Sequence, residues 1–123
     1  SFDIDHPGKD SHRHRVAGAQ EVLLASKNRI ALMRELRDQE EPDLAHLLTR
    51  LSSVDLVLIE GYKRDRHPKI EAHRSATGQP LIAPGDDTIR AVASDVPLTL
   101  ERPVFDLDDT TALADFVLRE VGL

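Results

Sequence analysis

The stretch Asp55-Leu-Val-Leu-Ile-Glu-Gly-Tyr-Lys63 constrains this chain more than any other, because an unbroken apolar run stops at an acid that a glycine follows at once. Strands covered on both faces read as continuous Val/Ile/Leu runs, and Val57, Leu58 and Ile59 leave no polar alternation for a solvent-washed face. The run therefore predicts a buried strand ending at Glu60. In open α/β sheets ligands bind beyond the carboxyl ends of the strands, so an acid at that point faces the natural site. Gly61 allows a sharp turn or a close approach to a bound group. The plainer alternative is a buried strand whose last Glu is merely solvated.

The rest of the chain supplies elements for such a sheet. Phe2 and Ile4 alternate with Asp3 and Asp5 like the tail of a strand, and Pro7-Gly8 turns the chain. Asp10 and Ser11 are cap residues for a helix over His12–Ala17 that Gly18 ends. Gly8-Lys9-Asp10-Ser11 suits an anion at a helix start, although an ordinary capped turn explains the same residues. His12 and His14 are two apart and diverge on a helix, which argues for a solvated basic face over a metal pair. Residues 20–26 and 28–36 read as strands, the second centred on Ile30-Ala-Leu-Met33. Asp43 caps a helix with Leu44, Leu47, Leu48 and Leu51 on one face, and its position before the opening run suggests a parallel crossover.

Beyond Tyr62 a basic loop, 63–68, leads into a strand over 69–74, and Lys63 and Arg64 are placed to meet phosphate charge. Turns at 77–80 and 84–87 flank Leu81-Ile82. Thr88–Asp95 is a further central strand, also ending in an acid, so Ser94 and Asp95 form a second strand-end candidate. Val104–Leu107 is a short apolar piece. Asp108-Asp-Thr-Thr111 offers caps for a helix burying Leu113, Phe116, Val117 and Val121, which accounts for the acidic run at Asp106, Asp108 and Asp109 more simply than a metal cluster does.

Composition narrows the functional classes. The 123 residues fit one domain, 1–123, and with aromatics at 3% its core must be aliphatic. The 16 basic and 22 acidic residues leave a net charge of −6, against wholesale binding to nucleic acid or anionic membrane. No cysteine is present, so thiolate chemistry and disulfides are excluded. No apolar run approaches the ~18 residues of a membrane span, and the N-terminus lacks the pattern of an export signal. A cytoplasmic protein is the expectation.

Asp5-His-Pro-Gly-Lys-Asp-Ser11, Ala17-Gly-Ala19, Ile30–Met33, Leu58-Ile-Glu-Gly-Tyr-Lys63, Ala91-Val-Ala-Ser-Asp95 and Ala114-Asp-Phe116 stand in an order that closely resembles the MobB family, molybdopterin-guanine dinucleotide biosynthesis adaptors that are P-loop GTP-binding proteins. The resemblance runs over essentially the whole chain. It implies an α/β, P-loop NTPase-like fold with a mixed, largely parallel sheet flanked by helices. It also implies GTP and Mg²⁺ as ligands, a homodimer, and assistance to the guanylyltransferase that attaches GMP to molybdopterin. Glu60 then corresponds to a Walker-B-like acid that holds Mg²⁺ directly or through water, with Gly61 and Lys63 beside the nucleotide. Asp10 corresponds to a residue that senses the γ-phosphate or its metal, and Ser94 and Asp95 to the strand end near guanine.

One departure is large. The family begins with a strand, a Gly-x-x-x-x-Gly-Lys-Ser/Thr loop and its helix, and the 123 residues carry none of them. Gly8-Lys9-Asp10-Ser11 is no substitute, since no glycine stands five residues before Gly8. The expectation is the C-terminal portion of a P-loop domain, or else a short form that works as an interaction module without nucleotide. Hydrolysis should be slow at most, because no glutamine or arginine stands in a context that would orient water. A third reading, a metal-dependent phosphohydrolase using Glu60, Asp95 and the run 106–109, belongs to a different class.

Overall fold

The computed structural model describes residues 10–123. The strand tail at Phe2 and Ile4, the Pro7-Gly8 turn and Lys9 lie outside the described residues. The chain divides into two compact units, Ser1–Leu51 and Ser52–Leu123.

In the first unit, helix α1 (Asp10–Val16) begins with Asp10 as a helical residue rather than a cap, and Gly18 follows it at φ 111°. Strands β1 (Glu21–Ala25) and β2 (Ile30–Arg34) form an antiparallel hairpin in which Leu23 faces Leu32 and Ala25 faces Ile30. Ser26 builds the turn: its hydroxyl accepts from the Arg29 amide at 3.1 Å while its own amide donates to the Arg29 carbonyl at 2.8 Å. At the open end Arg34 and Glu21 pair at 2.6 Å. Helix α2 (Leu44–Leu48) follows, and the Asp43 carboxylate accepts from the His46 amide at 2.8 Å, the expected N-cap.

The second unit holds a parallel, three-stranded sheet in the order β3 (Lys69–His73), β4 (Ile89–Ser94), β5 (Val104–Asp106). The middle strand β4 is buried at every position but Arg90. A register shift beside Lys69 and Ile70 breaks the alternation of β4, and Ile89 and Val92 then join Ala83 in one cluster under Leu81, Leu98 and Leu100. Ala93 stands opposite Phe105, whose ring meets that of Phe116 at a centroid distance of 5.4 Å. Phe116 belongs to helix α3 (Thr110–Glu120), started by Asp109, whose carboxylate accepts from the Ala112 amide at 3.1 Å. Small residues in β4 thus leave room for aromatic rings on the neighbouring elements. The core is small and mostly aliphatic, with Phe116 the aromatic residue among its buried members.

The principal correction concerns the stretch that reads most clearly as a buried strand. Residues 55–60 form no strand, and Val57 and Leu58 are 38% and 79% exposed. A strand of this kind needs ladder partners and covered faces; among the described residues β3 pairs with β4 and nothing pairs with 55–60, so its hydrophobicity is not spent on burial. The parallel crossover expected from α2 into this run is absent for the same reason. A smaller correction falls on α3, where Phe116 is buried but Val121 lies past the helix and is 47% exposed. Among the described residues no helix is long and apolar enough to cross a membrane.

Candidate functional site

The site residues expected from sequence fall into three places. Asp10 lies in the first unit as the first residue of α1, exposed, with Arg13 3.9 Å away. Glu60, Gly61 and Lys63 lie in the second unit on the irregular segment that leads into β3. Ser94 and Asp95 lie at the carboxyl end of β4. No hydrogen bond or ion pair joins Glu60 or Lys63 to Ser94 or Asp95 among the described residues.

Ser94 is in register with His73 of β3 and Asp106 of β5, so the three residues mark the carboxyl edge of the parallel sheet. Ligand sites form at such an edge, where strand ends open into loops. Ser94 itself is 3% exposed, and its hydroxyl accepts from the Val96 amide at 3.1 Å; it shapes the turn that carries Asp95. Asp95 is exposed, and its carboxylate accepts from the Ser75 amide at 2.9 Å and from the Ser75 hydroxyl at 3.3 Å. The Ser75 amide holds the Asp95 carboxyl below its ordinary value of 3.8, with the Ser75 hydroxyl and His73 acting in the same direction against partial desolvation. A carboxylate offers about four lone-pair sites, so Asp95 keeps acceptor capacity for a donor pair on a ligand.

Glu60 is exposed, and its carboxylate has no partner among the described residues. Gly61 and Tyr62 follow it with φ values of 88° and 52°. A β-carbon at Gly61 would meet nothing within 4 Å, so the glycine serves the backbone angle and not a close approach. Lys63 is exposed and likewise unpartnered among the described residues. One free carboxylate suits Mg²⁺, which keeps several waters and takes one or two carboxylates beside substrate phosphates. Glu60 therefore fits the metal as a single ligand. Among the described residues no three His, Asp or Glu side chains gather into a cage that would hold an ion without a nucleotide.

The acidic run is used locally: an Asp106 carboxylate oxygen accepts from the Asp108 amide at 2.8 Å, and Asp109 caps α3. Sequence reasoning missed two residues. Ser75 fixes Asp95, and its only signal is a small hydroxyl residue just after a strand, where side chain–backbone turns are common. Lys69, at the start of β3, gathers oxygen atoms from the loop 63–68 and from Thr88, and nothing in its sequence context distinguishes it from a surface lysine.

Comparison with known proteins adds a family context. The family model described as "MobB: Molybdopterin guanine dinucleotide synthesis protein B" matches residues 1–95. A molybdopterin-guanine dinucleotide biosynthesis adapter protein of Escherichia coli is 45% identical over 120 residues, covering 95% of this chain and 69% of that protein. A protein of the same description from Haemophilus influenzae is 37% identical over 118 residues, covering 95% of this chain and 65% of its own length. The chain thus spans about two thirds of the length of these curated relatives. The crystal structure of a MobB protein homolog from Bacillus stearothermophilus superposes with a TM-score of 0.62 at 30% identity, covering 85% of this chain and 72% of that one. The mixed α/β class with a parallel sheet flanked by helices, as in P-loop NTPase-like folds, agrees with that neighbour.

Proposed function

The chain belongs to the MobB family, and from that premise we propose that it works in molybdenum cofactor maturation as a GTP-binding adaptor that assists the guanylyltransferase making molybdopterin guanine dinucleotide. The observation that carries this reading is the 45% identity, over 95% of the chain, to a biosynthesis adapter protein. In the intact protein a Walker A loop would cradle the phosphates through backbone N–H groups. Glu60 would hold Mg²⁺ or its water, Gly61 and Lys63 would lie along the nucleotide, and Asp10 would sense the γ-phosphate or its metal. Bound Mg²⁺ supplies neutralisation of phosphate charge. Asp95, on the turn that Ser94 shapes, would accept from the guanine base. Hydrolysis would be slow, and the adaptor would act as a cytoplasmic homodimer.

The test is binding of labelled GTP to the natural full-length protein with and without Mg²⁺. Glu60→Ala is expected to raise the Mg²⁺ concentration needed for half-maximal binding by about tenfold; an unchanged Mg²⁺ dependence would remove Glu60 from the site. A second reading is a module that dimerises and contacts the transferase without nucleotide. It is favoured by the lack of a Gly-x-x-x-x-Gly-Lys-Ser/Thr pattern within the 123 residues. The same GTP titration of the natural full-length protein separates the two, since the interaction module binds none and retains its partner, and GTP binding by the 123-residue chain itself would show that the Walker A loop is not required.

A further inference from the structure

The geometry points to Lys69 as the positioning residue that holds the turn after Glu60 in its left-handed form; the inference rests on the reading of Glu60 as a Mg²⁺-linked residue. Gly61 tolerates its φ of 88° freely, but Tyr62 carries a β-carbon and still sits at φ 52°. A bulky residue stays in that region only where its surroundings over-determine it. Part of those surroundings is a chain of hydrogen bonds running from Tyr62 to the start of β4. The Asp65 amide donates to the Tyr62 carbonyl at 3.2 Å, closing the turn from Tyr62 to Asp65. The Lys69 ammonium then donates to the Asp65 carbonyl, to the His67 carbonyl at 3.1 Å and to the Thr88 hydroxyl at 2.8 Å.

An ammonium has three protons and no acceptor, so these partners use it completely. Two come from the loop and the third from the residue that precedes β4, so one side chain fastens the loop to the sheet. The fastening is reinforced on both sides. The Lys69 amide donates to the Thr88 carbonyl at 2.8 Å, and Arg66 reaches Asp87 at 2.7 Å. The Thr88 hydroxyl in turn donates to Asp86 at 2.5 Å, which aims its lone pairs at the lysine. Lys69 touches no candidate ligand itself. It acts through the backbone, fixing the downstream end of the segment whose upstream end carries Glu60.

The test uses the natural full-length protein and four variants. Lys69→Met keeps the stem and removes the donors. In this variant trypsin is expected to cut after Lys63 and Arg64 about tenfold faster, because the loop must open for cleavage, and the Mg²⁺ midpoint for GTP binding should rise about fivefold. Glycine pays no steric cost at positive φ, so adding Tyr62→Gly to Lys69→Met should bring the Mg²⁺ midpoint back to within about twofold of the wild type. A merely structural lysine would give no such rescue. Thr88→Val, which removes one acceptor and leaves the others, should show a smaller change of the same sign and serves if Lys69→Met does not fold. Unchanged cleavage and midpoint in both single variants, or failure of the glycine rescue, overturns the inference. Glu60→Ala separates the two levels: if it leaves the Mg²⁺ dependence unchanged the functional reading fails, and the tryptic cleavage still decides whether Lys69 holds the loop.

Discussion

Asp95 shows how a single carboxylate can serve both the fold and a ligand. The Ser75 amide and hydroxyl stabilise its charged form, so its folded value lies below 3.8. Asp86 is lowered likewise, first by the Thr88 hydroxyl and then by the Thr88 amide. For a group whose value is depressed on folding, the stabilisation is fully present above the unfolded value and is lost as pH falls through the folded one. Urea midpoints should therefore be insensitive to these residues from about pH 5 to 8 and fall below 3.8. Asp95→Asn should be less stable than wild type at neutral pH, with the gap closing in acid; a gap that widens on acidification would reverse the assignment. Glu71 offers a companion measurement. Its carboxylate accepts from the Ile82 amide at 2.9 Å and the Ala83 amide at 2.8 Å, anchoring the loop that delivers fully buried Ala83 to the core. Hydrogen bonds to a charged group contribute about 1.5–3 kcal/mol, so Glu71→Ala should cost that much in chemical denaturation and Glu71→Gln roughly half.

At the scale of the elements, sequence periodicity reads the tendency to be buried, and neighbours decide whether it is realised. Thr88–Asp95 and 55–60 both read as buried strands. Only the first finds partners on both edges, β3 and β5, with loops on one face and α3 on the other. Most local signals survived: Asp43 and Asp109 cap the expected helices, and both segments expected as strands, Glu21–Ala25 and Ile30–Arg34, form, although the sequence does not foretell their pairing into a hairpin and Asp10 enters its helix instead of capping it. Such features depend on residues a few positions apart, and a sheet order does not. The candidate site divides the same way. Asp95 at a strand end was legible, while its partner Ser75 lies 20 residues away and emerges only through the pairing of β3 with β4. The packing of α3 on that sheet predicts the largest single-residue loss. Phe116 is 9% exposed and packs against Phe105, the two rings tilted by 56°. Phe116→Ala should cost about 3–5 kcal/mol, and Phe116→Leu, which keeps most of the volume, well under half of that. Equal losses for the two variants would show that the ring contact, rather than the filled volume, holds α3 in place.

Over the whole molecule the two units differ in how they hold their strands. Every fully buried apolar residue among the described ones lies between Ala83 and Phe116, in the second unit. The hairpin of the first unit instead exposes Leu23 by 65%, Ile30 by 76% and Leu32 by 60%, all on the face that its register defines. A two-stranded hairpin backed by the short α1 is held far less firmly than the central strand of a covered sheet, so amide exchange should reveal the contrast. Amides of β4 are expected to exchange only with global unfolding. Those of Glu21–Ala25 and Ile30–Arg34 should exchange orders of magnitude faster in dilute solution, through local opening. Protein concentration then makes the measurement a test of the proposed homodimer. If a second copy covers the Leu23, Ile30 and Leu32 face, protection of the hairpin should grow as concentration rises while protection of β4 stays constant, because mass action stabilises only the surface that the partner touches. Hairpin protection that is low and independent of concentration would rule out self-association through this face, and sedimentation as a monomer under the same conditions would remove the dimer from the functional reading altogether.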